Sequence, residues 1–261
     1  MKAIILAAGE GKRLRPFTND RPKCMVEING VSLLDRQISI IKSCGIEEII
    51  IIGGYKGQAL ISKGNKLIIN PRYHETNMVW SLFCGENELT GDLIISYGDI
   101  VYSRDILCKL LNCGEDVALT IDKDWENYWR LRNEDPLSDA ETLKLRNDGT
   151  ISEIGQVPLS IDEIDGQYMG LLKFSPLGIK LLRNSFTQAQ NRGSILSKNP
   201  ETAYMTDLIM QLIKDGVKIQ SVPINFPWVE VDTKEDLTSS YTLQRISLIE
   251  HSYTSTERTK E

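Results

Sequence analysis

The sequence has few of the residues that build metal centres and disulfide frameworks. It contains 5 cysteines, an odd number without a CxxC pair, and 2 histidines among its 261 residues. A structural zinc site needs closely spaced ligands of these types, and a disulfide framework needs cysteines that can pair. The composition argues against both, and buried or incidental free thiols are expected at Cys24, Cys44, Cys84, Cys108 and Cys113.

Long apolar runs are also missing. No stretch approaches the ~18 uninterrupted apolar residues of a membrane span. The apolar segment at residues 3–6 is followed at once by Glu10 and several basic residues, without the apolar core and cleavage site of a secretion signal. We therefore expect a cytoplasmic protein with no membrane partner.

The chain has no excess of positive charge. Its formal net charge is −6 at pH 7, whereas a general nucleic-acid-binding protein would show a basic face. We expect no nucleic-acid partner, and an anionic ligand would have to be held by a local basic patch. No repeat, low-complexity linker or clean boundary interrupts the sequence. A single domain over residues 1–261 is expected, with a polar, frayed tail from about residue 251.

Buried β-branched runs alternate with helical patterns through the first half of the chain. Strands are expected at residues 2–8, 49–52, 67–69, 93–96 and 117–122, and helices at residues 32–44, 77–89 and 104–111. Continuous apolar strands separated by helices are typical of a parallel sheet that is covered on both faces. The sequence therefore predicts an α/β fold of the Rossmann-like, doubly wound type with a mostly parallel sheet.

The second half of the chain is more mixed. Asn147-Asp148-Gly149 lies between short strand-like stretches at residues 141–146 and 151–154 and predicts a hairpin. Further strands are expected at residues 168–174, 217–224 and 228–231, and helices at residues 205–214, after Pro176 and after Thr233. We expect a β-rich insertion in the α/β domain.

The residues that carry chemistry begin directly after the first strand, in the stretch LAAGEGKRLRPFTNDRPK at positions 6–23. A Walker loop is excluded because Arg13 stands where that loop needs Ser or Thr. A dinucleotide fingerprint is weak because Leu14 stands where it needs a third glycine. The remaining alternatives are a solvated charged loop and a phosphate-binding loop. Five cations favour the latter: Lys12, Arg13, Arg15, Arg21 and Lys23.

The motif Leu6-Ala7-Ala8-Gly9-x-Gly11-x-Arg13, followed by Pro22-Lys23, resembles the signature of nucleotidyltransferases that join an NTP to a phosphorylated acceptor and release pyrophosphate. The resemblance covers almost the whole chain. It implies that Arg13 holds the leaving phosphates and that Lys23 bridges the reacting ones, so that both are catalytic. It also implies a nucleotide-binding set of Leu6, Ala7, Ala8, Gly9, Gly11, Lys12, Arg13 and Lys23.

Two aspartates follow predicted strands, at the sheet edge where open α/β sheets bind ligands. Taken alone, Asp99 could be a turn residue, and Asp232 could merely precede a capped helix. The resemblance implies that "YGD" (Asp99) and "EVD" (Asp232) are the catalytic, metal-binding aspartates. Mg²⁺ prefers one or two protein carboxylates and completes its shell with phosphate oxygens and water. We therefore expect Mg²⁺ as the cofactor.

The nucleotide is indicated by Asn70-x-x-Tyr73-x-x-x-Asn77-x-x-x-Ser81. Sugar-1-phosphate members of the superfamily usually carry a glutamine and a Gly-Thr or Gly-Leu turn in this region, and we do not find them. The motif is similar to that of the small cytidylyltransferases that activate phosphocholine, phosphonates and related compounds. It implies CTP, with Asn77 and Ser81 in the nucleotide site; Asn77 can also cap a helix.

The acceptor is indicated by Asp122-Lys123-x-Trp125-x-x-x-Trp129-x-x-Arg132 and the residues that follow it. This block resembles enzymes that cytidylylate small phosphonates, and enzymes that act on L-glutamine phosphoramidate in capsule biosynthesis. The second similarity extends through "PKCMVE", "DLIISYGDIVY" and "GQYMGLLKFS". It implies L-glutamine phosphoramidate as the acceptor, or otherwise hydroxymethyl- or 2-aminoethylphosphonate. The insertion is expected to bind it through Asp122, Lys123, Arg132 and Tyr168.

Several alternatives stay open at this point. Trp125, Tyr128 and Trp129 could surround the quaternary ammonium of phosphocholine, or the tryptophans could be one apolar helix face. Asp139 and Glu141 could bind an acceptor amine or pair with a neighbouring arginine. A sugar-1-phosphate acceptor and a homodimer remain open as well. A regulatory domain that binds nucleotide without catalysis is disfavoured, because all the catalytic residues are present.

Overall fold

The computed structural model describes residues 1–225 and 227–257. Its strands are β1 (Lys2–Ala7), β2 (Glu27–Ile28), β3 (Val31–Ser32), β4 (Glu48–Gly53), β5 (Lys66–Ile69), β6 (Leu93–Tyr97), β7 (Ile100–Tyr102), β8 (Val117–Asp122), β9 (Leu143–Leu145), β10 (Ile151–Ile154), β11 (Gln167–Phe174), β12 (Gln220–Ile224) and β13 (Trp228–Glu230). Its α-helices are α1 (Leu33–Ser43), α2 (Met78–Cys84), α3 (Arg104–Leu111), α4 (Trp125–Arg132), α5 (Pro176–Arg192), α6 (Met205–Lys214), α7 (Lys234–Thr238) and α8 (Ser240–Glu257).

The central sheet has seven strands in the order β12-β8-β11-β6-β1-β4-β5. All neighbours are parallel except β11, which runs antiparallel to β6 and β8. Alternate residues of β1 enter different apolar clusters: Ala3 and Ile5 belong to one, and Ile4 and Leu6 to the other. Since successive side chains of a strand point to opposite faces, both faces of the sheet are buried. The predicted mostly parallel, doubly covered sheet is confirmed.

Between β8 and β11 the chain leaves the sheet and forms α4 and the antiparallel hairpin β9–β10. Gly149, in the turn of this hairpin, has a positive φ of 79°, a conformation that glycine adopts without a Cβ penalty. The predicted hairpin is therefore confirmed. The insertion extends beyond the carboxyl end of β8, beside the edge of the sheet where β1 and β6 also end.

One local prediction needs correction. The helix expected over residues 77–89 ends at Cys84, and a short 3₁₀ turn, Glu86–Glu88, follows it. The strand expected at residues 228–231 is confirmed as β13, and it pairs with β7 in a separate two-stranded ribbon beside the main sheet. Helix α8 is described to Glu257, and the end of the predicted tail, residues 258–261, lies outside the described chain.

None of the helices among the described residues is both long enough and apolar enough to cross a membrane.

Candidate active site

Two adjoining pockets open at the carboxyl ends of β1 and β6. The first, of about 150 Å³, is lined by the end of β1 and the residues that follow it, by α2 and by Asp99. The second, of about 180 Å³, is lined by the insertion, by the start of α6 and by Asp232. Met78 and Tyr97 line both. The two pockets are therefore halves of one cleft, called here the β1 half and the insertion half.

The loop after β1 folds back on itself at Gly11. This glycine has φ 62°, and a Cβ atom there would lie 3.0 Å from the Cβ of Lys23. Thr18 Oγ1 donates a hydrogen bond of 2.9 Å to the Gly11 carbonyl and closes the loop. A side chain at position 11 would thus push Lys23 out of place, which is the physical reason for glycine here.

Lys23 is the centre of a charged cluster between the two halves. Its Nζ atom lies 2.7 Å from Asp99 Oδ2 and also donates a hydrogen bond to Asp232 Oδ1. Arg13 approaches the other oxygen of Asp232, at 3.1 Å. The side chain of Arg13 is 61% exposed, whereas Lys23 is 14% exposed. The cluster thus contains one enclosed cation, one cation at the cleft surface and two carboxylates.

The charges of this cluster stabilise one another. Burial by itself would lower the pKa of Lys23, but the neighbouring carboxylates outweigh it and raise that pKa well above its usual value. Burial likewise opposes ionisation of Asp232, but the charges of Lys23, Arg13 and Arg132 hold its pKa below the usual range. Lys23 is therefore a cation and Asp232 an anion at neutral pH.

The ribbon β7–β13 brings the two aspartates together. Glu230 pairs with Ile100 in this ribbon, and the N–H of Val231 donates a hydrogen bond of 3.0 Å to the carbonyl of Asp99. Asp99 and Asp232 thus lie at the same end of two neighbouring strands. Asp99 also follows β6 of the main sheet, so the turn at Gly98 connects the sheet to the ribbon.

The donor set suits a hard divalent cation that shares its shell with phosphate. Asp99 Oδ1 is buried and has no hydrogen-bond partner among the described residues, so one carboxylate oxygen is left for a ligand. Within the described chain no three His, Cys, Asp or Glu residues are grouped to hold a metal ion by themselves. Mg²⁺ needs only one or two carboxylates when phosphate oxygens and water supply the rest. Asp99 and Asp232 fit that requirement.

The structure places most of the predicted nucleotide set in the β1 half. The pocket is lined by Leu6, Ala7, Ala8, Gly9, Lys23, Asn77 and Ser81. Asn77 also caps α2, where its Oδ1 accepts from the N–H of Met78 at 2.8 Å, so the two roles considered for it are compatible. Gly11 shapes the loop, and the Nζ of Lys12 lies 3.5 Å from Glu10 with the side chain 70% exposed.

The insertion half is acidic and partly aromatic. Asp139, Glu141 and Glu230 line it together with Trp129 and Tyr168. Burial raises the pKa of both Asp139 and Glu141. The predicted acceptor residue Tyr168 does lie in this half, where its ring contacts Tyr97 edge-on at 5.6 Å between ring centres.

Two predicted acceptor residues do not line the cleft. Asp122 is buried and accepts hydrogen bonds from the Trp228 indole at 2.8 Å and from the Asp124 N–H at 2.8 Å. Lys123 is exposed and donates to the carbonyl of Asp165. The prediction that they hold the acceptor needs correction: both follow the correct strand, but their side chains have other partners.

Arg132 also needs correction. Its side chain is 3% exposed, and it forms ion pairs of 2.5 Å with Glu230 and 3.0 Å with Asp236. Its guanidinium also lies 5.3 Å from the ring centre of Trp129. Unlike Lys23, Arg132 lines neither half of the cleft, so its guanidinium does not face the acceptor site, contrary to the prediction. Trp125 and Trp129 are both buried, as expected for an apolar helix face.

Sequence reasoning missed several lining residues. Thr206 and Tyr204 lie in the insertion half without any motif to mark them, because only the fold brings their segment to the cleft. Gln167 and Tyr97 lie within the quoted stretches GQYMGLLKFS and YGD, and Thr76 precedes Asn77. For these three, position in or beside a motif was a usable signal.

Comparison with known proteins agrees with this geometry. Residues 3–153 match the family model described as the MobA-like NTP transferase domain. Over 249 residues the chain is 42% identical to CTP:phosphoglutamine cytidylyltransferase of Campylobacter jejuni, covering 91% of this chain and 98% of that protein. Over 108 residues it is 42% identical to choline-phosphate cytidylyltransferase of Streptococcus pneumoniae, covering 40% of this chain and 47% of that protein.

Solved structures show the same fold. The CTP:phosphocholine cytidylyltransferase of Streptococcus pneumoniae superimposes with a TM-score of 0.70 at 21% identity, covering 93% of this chain and 98% of that one. The inositol-1-phosphate CTP transferase of T. maritima superimposes with a TM-score of 0.72 at 20% identity, covering 95% and 96%. At these identities the likeness concerns the fold alone.

Proposed function

Because the chain belongs to the MobA-like NTP transferase family, we propose that it is a CTP-dependent cytidylyltransferase. It transfers CMP to a small phosphorylated acceptor and releases pyrophosphate. The acceptor we propose is L-glutamine phosphoramidate, the phosphoglutamine that is named for the Campylobacter jejuni relative.

One observation carries the proposal: the Lys23–Asp99–Asp232 cluster lies between the two halves of the cleft. A triphosphate in the β1 half and an acceptor phosphoryl group in the insertion half would meet at this cluster. Both are anions, so bringing them together requires cations at the meeting point. Lys23 and Arg13 supply two of these charges.

In the proposed reaction an anionic oxygen of the acceptor attacks the α-phosphorus of CTP. The bond from that phosphorus to the bridging oxygen breaks, and pyrophosphate leaves with the electron pair. The acceptor oxygen already carries its charge near neutral pH, so no side chain has to act as a general base. Lys23 neutralises the reacting phosphoryl group, and Arg13, at the cleft surface, receives the leaving phosphates.

Nucleotidyltransferases of this family generally use a divalent metal ion, and we propose Mg²⁺. Asp99 and Asp232 would hold it, and the free Oδ1 of Asp99 supports this assignment. Once bound, the ion would supply additional positive charge to the phosphate oxygens during transfer. The two carboxylates would orient it and keep its charge near the reacting phosphate.

The acidic insertion half supports an acceptor that carries an ammonium group. Glu141 is only partly exposed, and Thr206 Oγ1 lies 3.4 Å from its Oε1. Asp139 lines the same pocket. An α-ammonium group of an amino acid would pair with these carboxylates, whereas a neutral sugar would leave them without counter-charges. L-Glutamine phosphoramidate has both the phosphoryl group and the α-ammonium group that the cleft requires.

A specific observation also favours a second candidate, phosphocholine. Trp129, Tyr168 and Tyr204 line the insertion half beside the acidic residues. Aromatic faces together with carboxylates suit a quaternary ammonium group. Because the choline-phosphate relative matches only part of this chain, we propose phosphocholine as the second candidate.

A pyrophosphate-release screen tests the proposal. Each of CTP, UTP, ATP and GTP is combined with glutamine phosphoramidate, phosphocholine, 2-aminoethylphosphonate, hydroxymethylphosphonate and glucose-1-phosphate in the presence of Mg²⁺. We expect the highest kcat/KM for CTP with glutamine phosphoramidate. A preference for phosphocholine would select the second candidate, and a preference for glucose-1-phosphate would overturn both.

A further inference from the structure

Gln37 is a buried polar residue on α1, a helix that contributes no side chain to either half of the cleft. Its exposed fraction is 0%. A buried carboxamide is retained in an apolar layer only if its donors and acceptor find partners. Gln37 finds all of its partners in one short segment, residues 96–100, which contains Asp99.

The three hydrogen bonds of Gln37 span the turn that carries Asp99. Its Nε2 donates to the carbonyl of Tyr97 at 2.9 Å and to the carbonyl of Ile100 at 2.6 Å. Its Oε1 accepts from Ser96 Oγ at 2.8 Å. The amide therefore bridges the residues on both sides of Gly98 and Asp99.

The orientation of this amide is determined by its partners. If its oxygen and nitrogen exchanged places, the oxygen would face the two carbonyls of Tyr97 and Ile100. Two acceptors cannot pair with a third, so only one orientation satisfies the segment. The hydroxyl of Ser96 can donate or accept, so it is compatible with this orientation.

Other contacts hold the same turn through its backbone. The N–H of Gly98 donates to the carbonyl of Leu6 at 2.9 Å, and the carbonyl of Asp99 accepts from Val231 at 3.0 Å. On the α1 side of the sheet, the side chains of Gln37 and Ser96 support the turn, and Gln37 bonds the carbonyls on both sides of Asp99. Since the carboxylate of Asp99 must reach Lys23 Nζ, a small rotation of the turn would displace it.

We propose that Gln37 is a positioning residue for Asp99 and acts on the metal-binding carboxylate through the backbone of the Tyr97–Ile100 turn. The inference rests on the proposed function in one respect, namely that Asp99 binds the divalent ion. It does not depend on which acceptor the enzyme uses. Groups that orient a metal ligand in this way change metal affinity about tenfold or more when they are removed.

The test is a titration of Mn²⁺ into the enzyme with CTP and without acceptor, followed by the electron paramagnetic resonance of free Mn²⁺ and compared with the same titration of CTP alone. Gln37→Met keeps the size of the side chain and removes its hydrogen bonds. Gln211→Met is the matched control: Gln211 is a buried glutamine on α6 whose Nε2 donates to Asp215 at 2.8 Å, outside both halves of the cleft. Both variants lose a buried glutamine, and their thermal stability is measured alongside.

We expect Gln37→Met to raise the apparent Kd for Mn²⁺ about tenfold and Gln211→Met to change it less than about twofold. In an Asp99→Asn background Gln37→Met should have no further effect, because its influence passes through Asp99. Ser96→Ala is measured as well and should also raise the apparent Kd for Mn²⁺. If Gln37→Met does not fold, Ser96→Ala decides by the same comparison.

The outcomes distinguish the positioning role of Gln37 from the proposed function of the enzyme. Wild-type Mn²⁺ affinity in both Gln37→Met and Ser96→Ala overturns the positioning role and leaves the proposed function intact. Equal weakening in Gln37→Met and Gln211→Met also overturns it, since that result is a general effect of instability. If the wild-type enzyme with CTP takes up no Mn²⁺, the proposed metal role fails, and the inference about Gln37 fails with it.

Discussion

The Nζ atom of Lys23 lies 2.7 Å from Oδ2 of Asp99, although 76 positions separate the two residues in the chain. Lys23 therefore connects the loop after β1 to the turn after β6. We expect its charge to be worth more in the transition state than in the ground state, because the bridging oxygen gains charge as pyrophosphate leaves.

Lys23→Ala should lower kcat by about a hundredfold or more, roughly 2.7 kcal/mol, and change the KM for CTP by no more than about threefold. Steady-state kinetics at saturating acceptor measure both constants. Lys12→Ala is the control, since Lys12 is exposed and pairs with Glu10. If Lys23→Ala raised only the KM for CTP, Lys23 would bind the ground state and the transition state equally, and the catalytic role would be wrong.

Asp99 and Asp232 should both be required for turnover, because together they would hold the divalent metal ion. Asp99→Asn and Asp232→Asn remove the charge that would hold Mg²⁺ and keep the shape of the side chain. Each should lower turnover by two or more powers of ten, about 3 kcal/mol, with the far-ultraviolet circular dichroism unchanged. Near-wild-type turnover of either variant at saturating Mg²⁺ would contradict the assignment.

Arg132 should contribute to stability and to the geometry of Asp232 rather than to acceptor binding. Its partner Asp236 accepts a hydrogen bond of 3.0 Å from the N–H of Asp232. Lysine cannot reproduce a guanidinium that bonds Glu230 and Asp236 at once. Arg132→Lys should therefore destabilise the fold by about 1–3 kcal/mol and lower kcat, because one buried carboxylate loses its pair.

Denaturant unfolding and steady-state kinetics check this prediction. The KM for the acceptor should stay within about threefold of the wild-type value, a free-energy change below 1 kcal/mol. A large rise in that KM, with stability unchanged, would restore the role that the sequence suggested for Arg132. Arg130→Lys is the matched control, since Arg130 lies on the same helix and pairs with Glu126 at the surface.

The main sheet could be predicted from local patterns and the members of the charged cluster from the resemblance, whereas the acceptor side could not be predicted correctly. The alternation of buried runs and helices marks the main sheet, because each element carries its own periodicity. The ribbon β7–β13 has two strands of three residues, too short to show any alternation. Its pairing, which brings Asp99 and Asp232 together, depends on residues more than 120 positions apart.

The predicted acceptor residues show the same limit. Arg132 and Lys123 follow β8 at the expected edge of the sheet, but a sequence does not state which way a side chain turns. Arg132 is held by Asp236, 104 positions away, and Asp122 by Trp228, 106 positions away. These long-range partners determine which way the side chains of Arg132 and Asp122 turn, and no local motif indicates them.

The lowered pKa of Asp236 predicts that this residue stabilises the fold less at acid pH than at neutral pH. Burial opposes its ionisation, but Arg132 and the N–H of Asp232 outweigh burial and hold its pKa below the ordinary value of 3.8. The unfolded chain therefore binds the proton more tightly than the folded chain. The contribution of Asp236 is fully present above the ordinary pKa and is lost as the pH falls through the lowered one.

Melting temperatures of the wild type and Asp236→Asn, measured between pH 6 and pH 3, check the sign. Asp236→Asn should be less stable at pH 6, and the difference from the wild type should shrink as the pH falls. Asp92→Asn is the control, since Asp92 is exposed directly before the start of β6. A difference that grows towards low pH would be of the wrong sign for a depressed pKa.

The last prediction concerns Glu141 and the ammonium group of the acceptor. Burial raises the pKa of Glu141 above its ordinary value of 4.5, so the residue becomes an anion only as the pH rises through that raised value. An ammonium group pairs with the carboxylate and not with the acid. The affinity for glutamine phosphoramidate should therefore increase with pH across this range, while the affinity for CTP follows a different profile.

Glu141→Gln keeps the hydrogen-bonding shape of the side chain and removes its charge. It should raise the KM for glutamine phosphoramidate by about tenfold, near 1.4 kcal/mol, and abolish the pH dependence assigned to Glu141. With hydroxymethylphosphonate, which has no ammonium group, the same variant should behave like the wild type. An equal rise in KM for both acceptors would mean that Glu141 maintains the structure of the pocket and does not recognise the ammonium group. A change confined to the acceptor that carries the ammonium group would identify Glu141 as the residue that selects it.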